Sequence, residues 1–204
     1  MIAIIDYGMG NLRSVQKGFE HTGFDARITC GAPDLAAARA LVLPGVGAFG
    51  DAMANLAERG LLEPVIRAVR EGKPLLGICL GFQLLFEESE EWGLCRGLGL
   101  MPGRVVRLPA GGLKVPHMGW NAVRQQGDCP LWAGVPDGSF FYFVHSYYAQ
   151  PGSKELSAGL TEYGGWIAAA VARDNVFGVQ FHPEKSSRLG LRILANFGRL
   201  ATKC

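Results

Sequence analysis

Residues 74–83 read Pro-Leu-Leu-Gly-Ile-Cys-Leu-Gly-Phe-Gln, an apolar run that leads into a cysteine flanked by glycines. A Gly-x-Cys-x-Gly turn between a strand and a helix is the cysteine counterpart of the nucleophile elbow. Gly77 and Gly81 lack a Cβ atom, so the strand and the helix can pack closely around a tight turn. We therefore expect Cys79 to project above the carboxyl end of a sheet, where the N-terminus of the next helix favours the thiolate.

Apolar strands alternate with amphipathic helices through the first half of the chain. The runs at residues 2–5 and 40–43 are continuously apolar, as in strands that are covered on both faces. This alternation predicts an α/β fold with a doubly wound, mostly parallel sheet flanked by helices. After Gly93 the apolar runs shorten and glycine and proline become frequent, which predicts additional β-hairpins in the C-terminal half.

The sequence predicts boundaries for three helices. Asn11 is expected to cap the first helix, and Ser186 or Ser187 the closing helix, which runs to Leu200. The elbow helix is expected to continue over residues 82–86.

Composition limits the classes of function. A chain of 204 residues suits one domain with a sizeable core, and we expect a single domain over residues 1–204. The net charge of +2, with no lysine- or arginine-rich run, gives no indication of nucleic-acid binding, and no apolar run approaches membrane-spanning length. The five cysteines form no Cys-x-x-Cys pair, which indicates neither a disulfide framework nor a zinc site. Reduced thiols suit a cytoplasmic protein.

A second chemical pattern ends another apolar run, at Phe181-His182-Pro183-Glu184. A cysteine nucleophile needs a base to take its proton and a group to orient that base. His182 is expected on the same rim of the sheet as Cys79, and Glu184 can hydrogen-bond its imidazole and hold its tautomer. Cys79, His182 and Glu184 together predict acyl transfer.

The other three histidines receive different interpretations. His21 lies on the first helix and is expected at the surface. His117 is expected to have a structural or interface role. His145 follows an apolar strand and could line the site.

An acyl-enzyme also needs donors for its oxyanion. The N–H of Leu80, the residue after the nucleophile, is one expected donor. The backbone of Gly45-Val46-Gly47, at the carboxyl end of an apolar strand, is the other candidate.

The Gly8-x-Gly10 pair could indicate a dinucleotide fold. Arg13, however, stands where that fingerprint has its third glycine. We therefore interpret this loop as structural or partner-facing.

Three stretches resemble the signatures of the class I glutamine amidotransferases in order and separation, over essentially the whole chain. They are Pro44-Gly45-Val46-Gly47, Gly77-Ile78-Cys79-Leu80-Gly81-x-Gln83 and Phe181-His182-Pro183-Glu184. Within that family, residues 6–11, 116–121, 142–147 and 182–186 are similar to the glutaminase subunits of imidazole glycerol phosphate synthase, in histidine biosynthesis. Related amidotransferases of anthranilate synthase and carbamoyl phosphate synthase usually carry His in place of Phe82, where these subunits more commonly carry Met.

The resemblance implies an enzyme that hydrolyses glutamine to glutamate and ammonia. Cys79 would be the nucleophile, His182 the general acid and base, and Glu184 the residue that orients His182. The N–H groups of Leu80 and Gly47 would hold the oxyanion. The amino acid end of glutamine would be held by Gln83, Glu91, Ser146 and Tyr147. No cofactor and no metal is implied.

The resemblance also implies a partner protein. The ammonia would pass to a separate cyclase subunit with a (β/α)₈ barrel, which forms a heterodimer with this chain. That subunit makes imidazole glycerol phosphate and an aminoimidazole carboxamide ribonucleotide. Glutaminase activity would be weak without it. The residues expected at or near the interface are Asn11, Trp120, Asn121, Tyr142 and Lys185.

Three other functions stay open on the sequence. The chain could be the amidotransferase subunit of another synthase, for which Phe82 and residues 116–121 are the discriminating positions. It could be a non-catalytic regulatory protein on the same scaffold, although an intact Cys-His-Glu set argues against that. A general cysteine peptidase is the third alternative.

Overall fold

A computed structural model describes residues 1–109 and 112–203, and Cys204, one of the five cysteines, lies outside the described residues. The strands are β1 (Ile2–Ile5), β2 (Ala26–Thr29), β3 (Ala40–Gly45), β4 (Leu75–Cys79), β5 (Phe86–Ser89), β6 (Cys95–Arg96), β7 (Met101–Arg107), β8 (His117–Gln125), β9 (Ser139–His145), β10 (Tyr147–Pro151), β11 (Ser157–Glu162), β12 (Trp166–Arg173) and β13 (Val176–Val179). A nine-stranded sheet has the order β2-β1-β3-β4-β13-β12-β11-β8-β9, and a four-stranded sheet has the order β10-β7-β5-β6.

Helices cover both faces of the large sheet. They are α1 (Leu12–His21), α2 (Ala32–Ala37), α3 (Phe49–Glu58), α4 (Leu62–Arg70), α5 (Leu80–Gln83) and α6 (Ser187–Lys203). One core contains apolar side chains of α2, α3 and α4, such as Leu56 and Val65. A second core contains those of α1 and α6, such as Phe19 and Phe197. The sheet is therefore doubly wound.

The predicted fold class is confirmed. Strands β1, β2, β3, β4 and β13 run parallel to one another, and every residue of β1, β3 and β4 is buried. The remaining strands of the large sheet, β12, β11, β8 and β9, are antiparallel, and they extend the sheet from β13 to its edge at β9. These four strands thus continue the large sheet, whereas β7 and β10 belong to the four-stranded sheet.

The candidate catalytic segments lie at the centre of the large sheet. Strand β4 lies between β3 and β13, with Cys79 opposite Gly45 and Ile78 opposite Val179. Because these strands are parallel, their carboxyl ends meet at one edge. The Gly45 loop, Cys79 and the segment that follows Val179 therefore emerge side by side.

The elbow helix is shorter than predicted. It is one turn, Leu80–Gln83, and Phe86 already belongs to β5, which pairs with β6 and β7. The acidic segment from Glu87 supplies the rest of that strand, and Ser89 within it is fully buried. Strand pairing satisfies the backbone groups here and overrides the local preference for helix.

Both capping predictions are wrong in their side-chain contacts. Asn11 precedes α1 as expected, but its side chain makes no capping hydrogen bond. The Ser186 hydroxyl is used elsewhere: it donates to the carbonyl of His182 at 2.6 Å and accepts from the N–H of Tyr142 at 2.9 Å. Ser187 begins α6 with a φ of 52°.

Membrane insertion by a helix has no support in the described residues. None of their helices is both long enough and apolar enough to cross a membrane.

Candidate active site

The turn at Cys79 depends on its two glycines. A Cβ on Gly77 would lie 2.6 Å from the carbonyl oxygen of Gly81, and a Cβ on Gly81 would overlap the carbonyl oxygen of Leu43. Cys79 itself has a φ of 56° and a ψ of −109°, a conformation that non-glycine residues rarely adopt. Backbone strain of this kind persists where the surrounding structure holds it, often at functional sites.

The two ring nitrogens of His182 have different surroundings. Its Nδ1 lies 2.8 Å from Oε1 of Glu184, and the two side chains are only 3% and 1% exposed. Its Nε2 is buried and has no hydrogen-bond partner among the described residues. Burial disfavours the imidazolium, but Cys79 and Glu184 outweigh it and raise the pKa of His182 to about 10. The imidazolium form of His182 is therefore favoured at neutral pH.

The Cys79 sulfur also lies near two other polar groups. It lies 3.8 Å from the carbonyl oxygen of Val144 and 3.9 Å from Nε2 of Gln180. The one-turn helix α5 supplies few aligned peptide dipoles. The sequence-based expectation that this helix favours the thiolate is thus weakened, and His182 becomes the main cationic neighbour.

The loop after β3 is fastened close to Cys79. The hydroxyl of Tyr7 donates to the carbonyl of Pro44 at 2.8 Å, and burial first, then Cys79, raises the pKa of Tyr7. A Cβ on Gly45 would lie 2.9 Å from the Cβ of Leu80, so only glycine fits at that contact. Gly47 is exposed and has a φ of 103°. The loop backbone thus reaches the rim that carries Cys79.

One cavity of about 340 Å³ joins these groups, near the lower end of the usual size of small-molecule sites. The structure brings together eight of the predicted site residues in its lining: Gly47, Cys79, Leu80, Gln83, Glu91, Ser146, Tyr147 and His182. Glu184 lies behind His182. A group of three or more His, Cys, Asp or Glu side chains that could hold a metal ion is absent from residues 1–109 and 112–203.

Two of the lining residues make hydrogen bonds that the sequence did not predict. Nε2 of Gln83 donates to the carbonyl of Tyr147 at 2.8 Å and to Oε1 of Gln180 at 3.0 Å. Oε2 of Glu91 accepts from the N–H of Phe49 at 2.7 Å, at the first turn of α3. Glu91 therefore stabilises a helix N-terminus as well as lining the cavity.

The predicted interface residues lie in three places in the fold. Trp120 and Asn121 on β8 lie beside Tyr142 on β9, and the rings of Trp120 and Tyr142 are 6.3 Å apart. Lys185 is exposed just after His182. Asn11 directly precedes α1 and lies near the Gly45 loop, since a Cβ on the adjacent Gly10 would lie 3.5 Å from Gly45 Cα.

Sequence reasoning missed Gln180 and the pairing of two histidines. Gln180 is fully buried, directly before Phe181, and no local motif marks it. Nδ1 of His117 lies 2.9 Å from Nε2 of His145, and His145 lines the cavity. The signal that could have found the pair is their placement in two consecutive strands, where strand register brings them opposite each other.

Known proteins resemble this chain over nearly its full length. A family profile described as "Glutamine amidotransferase class-I" matches residues 3–200. The chain is 55% identical over 199 residues to the "Imidazole glycerol phosphate synthase subunit HisH" of Desulfitobacterium hafniense (strain DSM 10664 / DCB-2), covering 98% of this chain and 94% of that relative. It is 51% identical over 204 residues to the HisH subunit of Caldanaerobacter subterraneus subsp. tengcongensis, covering 100% of both.

Solved structures share the fold. A structure described as a glutamine amidotransferase superposes with a TM-score of 0.78 at 19% identity, covering 99% of this chain and 100% of the other. PurLQS from Thermotoga maritima superposes with a TM-score of 0.75 at 20% identity, covering 99% and 97%. On the profile match and on the identity with curated relatives, the chain belongs to the class I glutamine amidotransferases, in the family of the imidazole glycerol phosphate synthase HisH subunits.

Proposed function

We propose that this chain is the glutaminase subunit of an imidazole glycerol phosphate synthase and that Cys79, His182 and Glu184 hydrolyse glutamine to glutamate and ammonia. One observation carries the catalytic assignment. His182 Nδ1 is held by Glu184 at 2.8 Å, while its buried Nε2, in the cavity with Cys79, has no hydrogen-bond partner among the described residues. A base that is oriented at Nδ1 and has an unpaired Nε2 suits proton transfer to a substrate.

In the first step the Cys79 thiolate attacks the side-chain amide carbon of glutamine. The carbon–sulfur bond forms, the carbon–nitrogen bond breaks, and the imidazolium of His182 gives its proton to the departing nitrogen. The raised pKa of His182, about 10, keeps that proton available at neutral pH. Ammonia leaves, and a thioester remains on Cys79.

In the second step a water molecule attacks the thioester carbon. Neutral His182 takes a proton from the water, the carbon–sulfur bond breaks, and the new carboxyl group loses its proton to solvent. The thiolate–imidazolium pair is restored, and glutamate is released. Glu184 holds His182 in one orientation through both steps.

The oxyanion of each tetrahedral intermediate needs donors that are already in position. We assign this role to the N–H groups of Leu80 and Gly47, since both residues line the cavity. The loss of one such donor typically costs about 3 kcal/mol in the barrier.

The amino acid end of glutamine is assigned to four lining residues with polar side chains or backbone groups. They are Gln83, Glu91, Ser146 and Tyr147. The carboxylate of Glu91 suits the ammonium group of the substrate. The second oxygen of that carboxylate is not used by Phe49 N–H and is the atom that we assign to this contact.

The whole chain is proposed to be one amidotransferase domain, over residues 1–204, in the cytoplasm. The profile match to residues 3–200 supports the single domain. Four cysteines within the described residues are free, which suits a reducing compartment.

The proposed partner is a cyclase subunit with a (β/α)₈ barrel, which receives the ammonia. An exposed aromatic and apolar surface at the edge of the large sheet supports a protein partner, with Trp120 51% and Met118 62% exposed on β8. The residues assigned to this contact are Asn11, Trp120, Asn121, Tyr142 and Lys185.

Glutamate release from glutamine tests the proposal, measured for the purified chain alone and with a cyclase subunit and its nucleotide substrate. We expect a low rate alone and a strong rise with both additions. Glutaminase activity that the cyclase does not change would instead favour another synthase.

The matched variants are Cys79→Ser and Cys129→Ser, which change a cysteine in the cavity and a buried cysteine outside it. Cys79→Ser should lower kcat by at least about 10³-fold, as expected for loss of a nucleophile. Cys129→Ser should retain activity. Absence of activity in the wild type, with reduced Cys79, would favour the non-catalytic regulatory protein.

A further inference from the structure

Strands β8 and β9 carry three of the proposed interface residues and are called the docking strands below. Two buried histidines connect these strands to the cavity. His117 on β8 and His145 on β9 are direct cross-strand partners, with Nδ1 of His117 2.9 Å from Nε2 of His145. The His117 ring is stacked between the rings of Phe143, at 4.8 Å, and Tyr163, at 3.9 Å. Stacking on both faces leaves the ring little freedom to turn.

The hydrogens in this pair have one consistent arrangement. Nδ1 of His145 lies 2.8 Å from the carbonyl oxygen of Tyr147, which can only accept, so Nδ1 carries the hydrogen. Burial lowers the pKa of His145 to about 3, so the ring is neutral and its Nε2 is an acceptor. His117 must then donate from Nδ1, and its own Nε2 is an acceptor, since burial lowers the pKa of His117 to about 4.

Asn121 supplies the remaining donor. Its Nδ2 lies 3.3 Å from Nε2 of His117 and 2.9 Å from the carbonyl oxygen of Glu162, and one amide group has a hydrogen for each. Its Oδ1 accepts from the N–H of Ala122 at 2.8 Å, which fixes which amide atom is oxygen and which is nitrogen. Donation therefore runs in one direction, from Asn121 through His117 and His145 to Tyr147.

The last acceptor, the carbonyl oxygen of Tyr147, also contacts a second residue that lines the cavity. The carbonyl oxygen of Tyr147 also accepts from Nε2 of Gln83 at 2.8 Å. Tyr147 and Gln83 are both proposed to hold glutamine. A shift of this carbonyl would therefore move two of the groups that contact the substrate.

We propose that Asn121, His117 and His145 form a one-directional hydrogen-bond relay that positions the Tyr147 carbonyl and ties the glutamine pocket to the docking strands. The three are positioning residues, and none of them acts on the reacting atoms. The inference rests on the proposed glutaminase function. It adds that a partner which changes the hydrogen bonds of the Asn121 amide changes the affinity for glutamine through three defined contacts.

The direction of donation is tested first, on the isolated chain, by imidazole ¹⁵N–¹H correlation spectra that distinguish the two neutral tautomers. We expect both His117 and His145 to carry their hydrogen on Nδ1. Asn121→Asp replaces the donor with an acceptor, and we expect it to move the His117 hydrogen to Nε2 and disturb His145. Trp120→Ala, on the same strand but outside the relay, should leave both tautomers unchanged. A wild-type His145 with its hydrogen on Nε2 would overturn the relay.

The effect on the pocket is tested by glutaminase kinetics of the complex with a cyclase subunit. His117→Asn and His117→Leu both remove the stacked ring, but only Asn keeps a donor in the position of Nδ1. We expect the KM for glutamine to be about three- to tenfold higher in the Leu variant than in the Asn variant, the factor of one hydrogen bond, with similar kcat values. Equal KM values would contradict the positioning role. A wild type without glutaminase activity would contradict the proposed function, and the ring tautomers would still decide the relay.

Discussion

His182 and His145 line the same cavity, yet their pKa values are shifted in opposite directions from the ordinary value of histidine. Burial lowers the pKa of His145 to about 3, and its neighbours are a carbonyl group and another neutral imidazole. Burial also acts against the charged form of His182, but the Cys79 sulfur and the Glu184 carboxylate raise the pKa of that residue to about 10. The charge of the partner, and not the degree of burial, decides which histidine is protonated.

The difference has a chemical consequence for the site. His182 and His145 are close enough for the charge of one to disfavour the charge of the other. A neutral His145 therefore does not repel the imidazolium of His182. It also does not compete for the proton that ammonia must receive.

Among the changes that act through the two histidines, the largest effect is expected for Glu184→Gln, which removes one of the two groups that raise the pKa of His182. The change takes away the charge that stabilises the His182 imidazolium and its orientation. We expect kcat for glutamine hydrolysis to fall by about 10²–10⁴-fold, as for the loss of the orienting carboxylate in a Ser-His-Asp triad. Glu71→Gln, at an exposed carboxylate in the turn after α4, is the control and should keep the wild-type rate. A comparable fall in both variants would contradict the role of Glu184.

A second prediction separates the contributions of Cys79 and Glu184. Cys79→Ala leaves Glu184 alone to oppose burial, so the pKa of His182 should fall below its value of about 10. An NMR titration of the imidazole measures the midpoint. Cys129→Ala, which removes a buried thiol outside the cavity, should leave the midpoint unchanged. An unchanged midpoint in Cys79→Ala would mean that Glu184 alone accounts for the difference between the two histidines.

The third prediction concerns stability in acid. Since the pKa of His145 is about 3 in the folded chain and 6.5 is its ordinary value, the unfolded chain binds the proton first as pH falls. The free energy of unfolding should therefore decrease between about pH 6.5 and 3, and less steeply in His145→Gln. His182 has the opposite sign: its contribution is present below pH 6.5 and is lost as pH rises through about 10.

Urea denaturation of the wild type and of His145→Gln, from pH 8 to pH 4, measures this difference. The comparison at pH 8, where an imidazole in the unfolded chain is neutral, gives the cost of the substitution itself. Parallel pH profiles for the two proteins would show that His145 is not the residue responsible.

The smallest effect is expected at Ser186, which joins the segments that carry the two histidines. Its hydroxyl bonds the carbonyl of His182 and the N–H of Tyr142, on the strand that ends in His145. Ser186→Ala leaves a backbone donor without its partner, and we expect a loss of about 1–3 kcal/mol in the free energy of unfolding. Ser187→Ala, at the exposed neighbour, should cost less. Equal losses would point to a general effect at the start of α6.

The sequence predicted the parallel half of the fold better than the rest. Strands β1, β3 and β4 are continuously apolar because they are covered on both faces, and such runs are visible without a structure. The sequence extends the elbow helix to Phe86, the first residue of β5, because Phe86 continues the apolar run and the acidic segment after it shows no clear period. Pairing with β7, which is remote from the elbow, decided its conformation.

The two histidines show which contacts of the site could be predicted from the sequence and which could not. His182 and Glu184 are two residues apart, so their hydrogen bond is local and could be predicted from the sequence by itself, as could the strained elbow at Cys79 from its glycines. The partner of His145 lies 28 residues away in the chain and was set by the register of β8 against β9. Register depends on which faces of both strands are buried, which only the tertiary structure decides. The tertiary structure therefore places a protonated His182 and a neutral His145 in the same cavity.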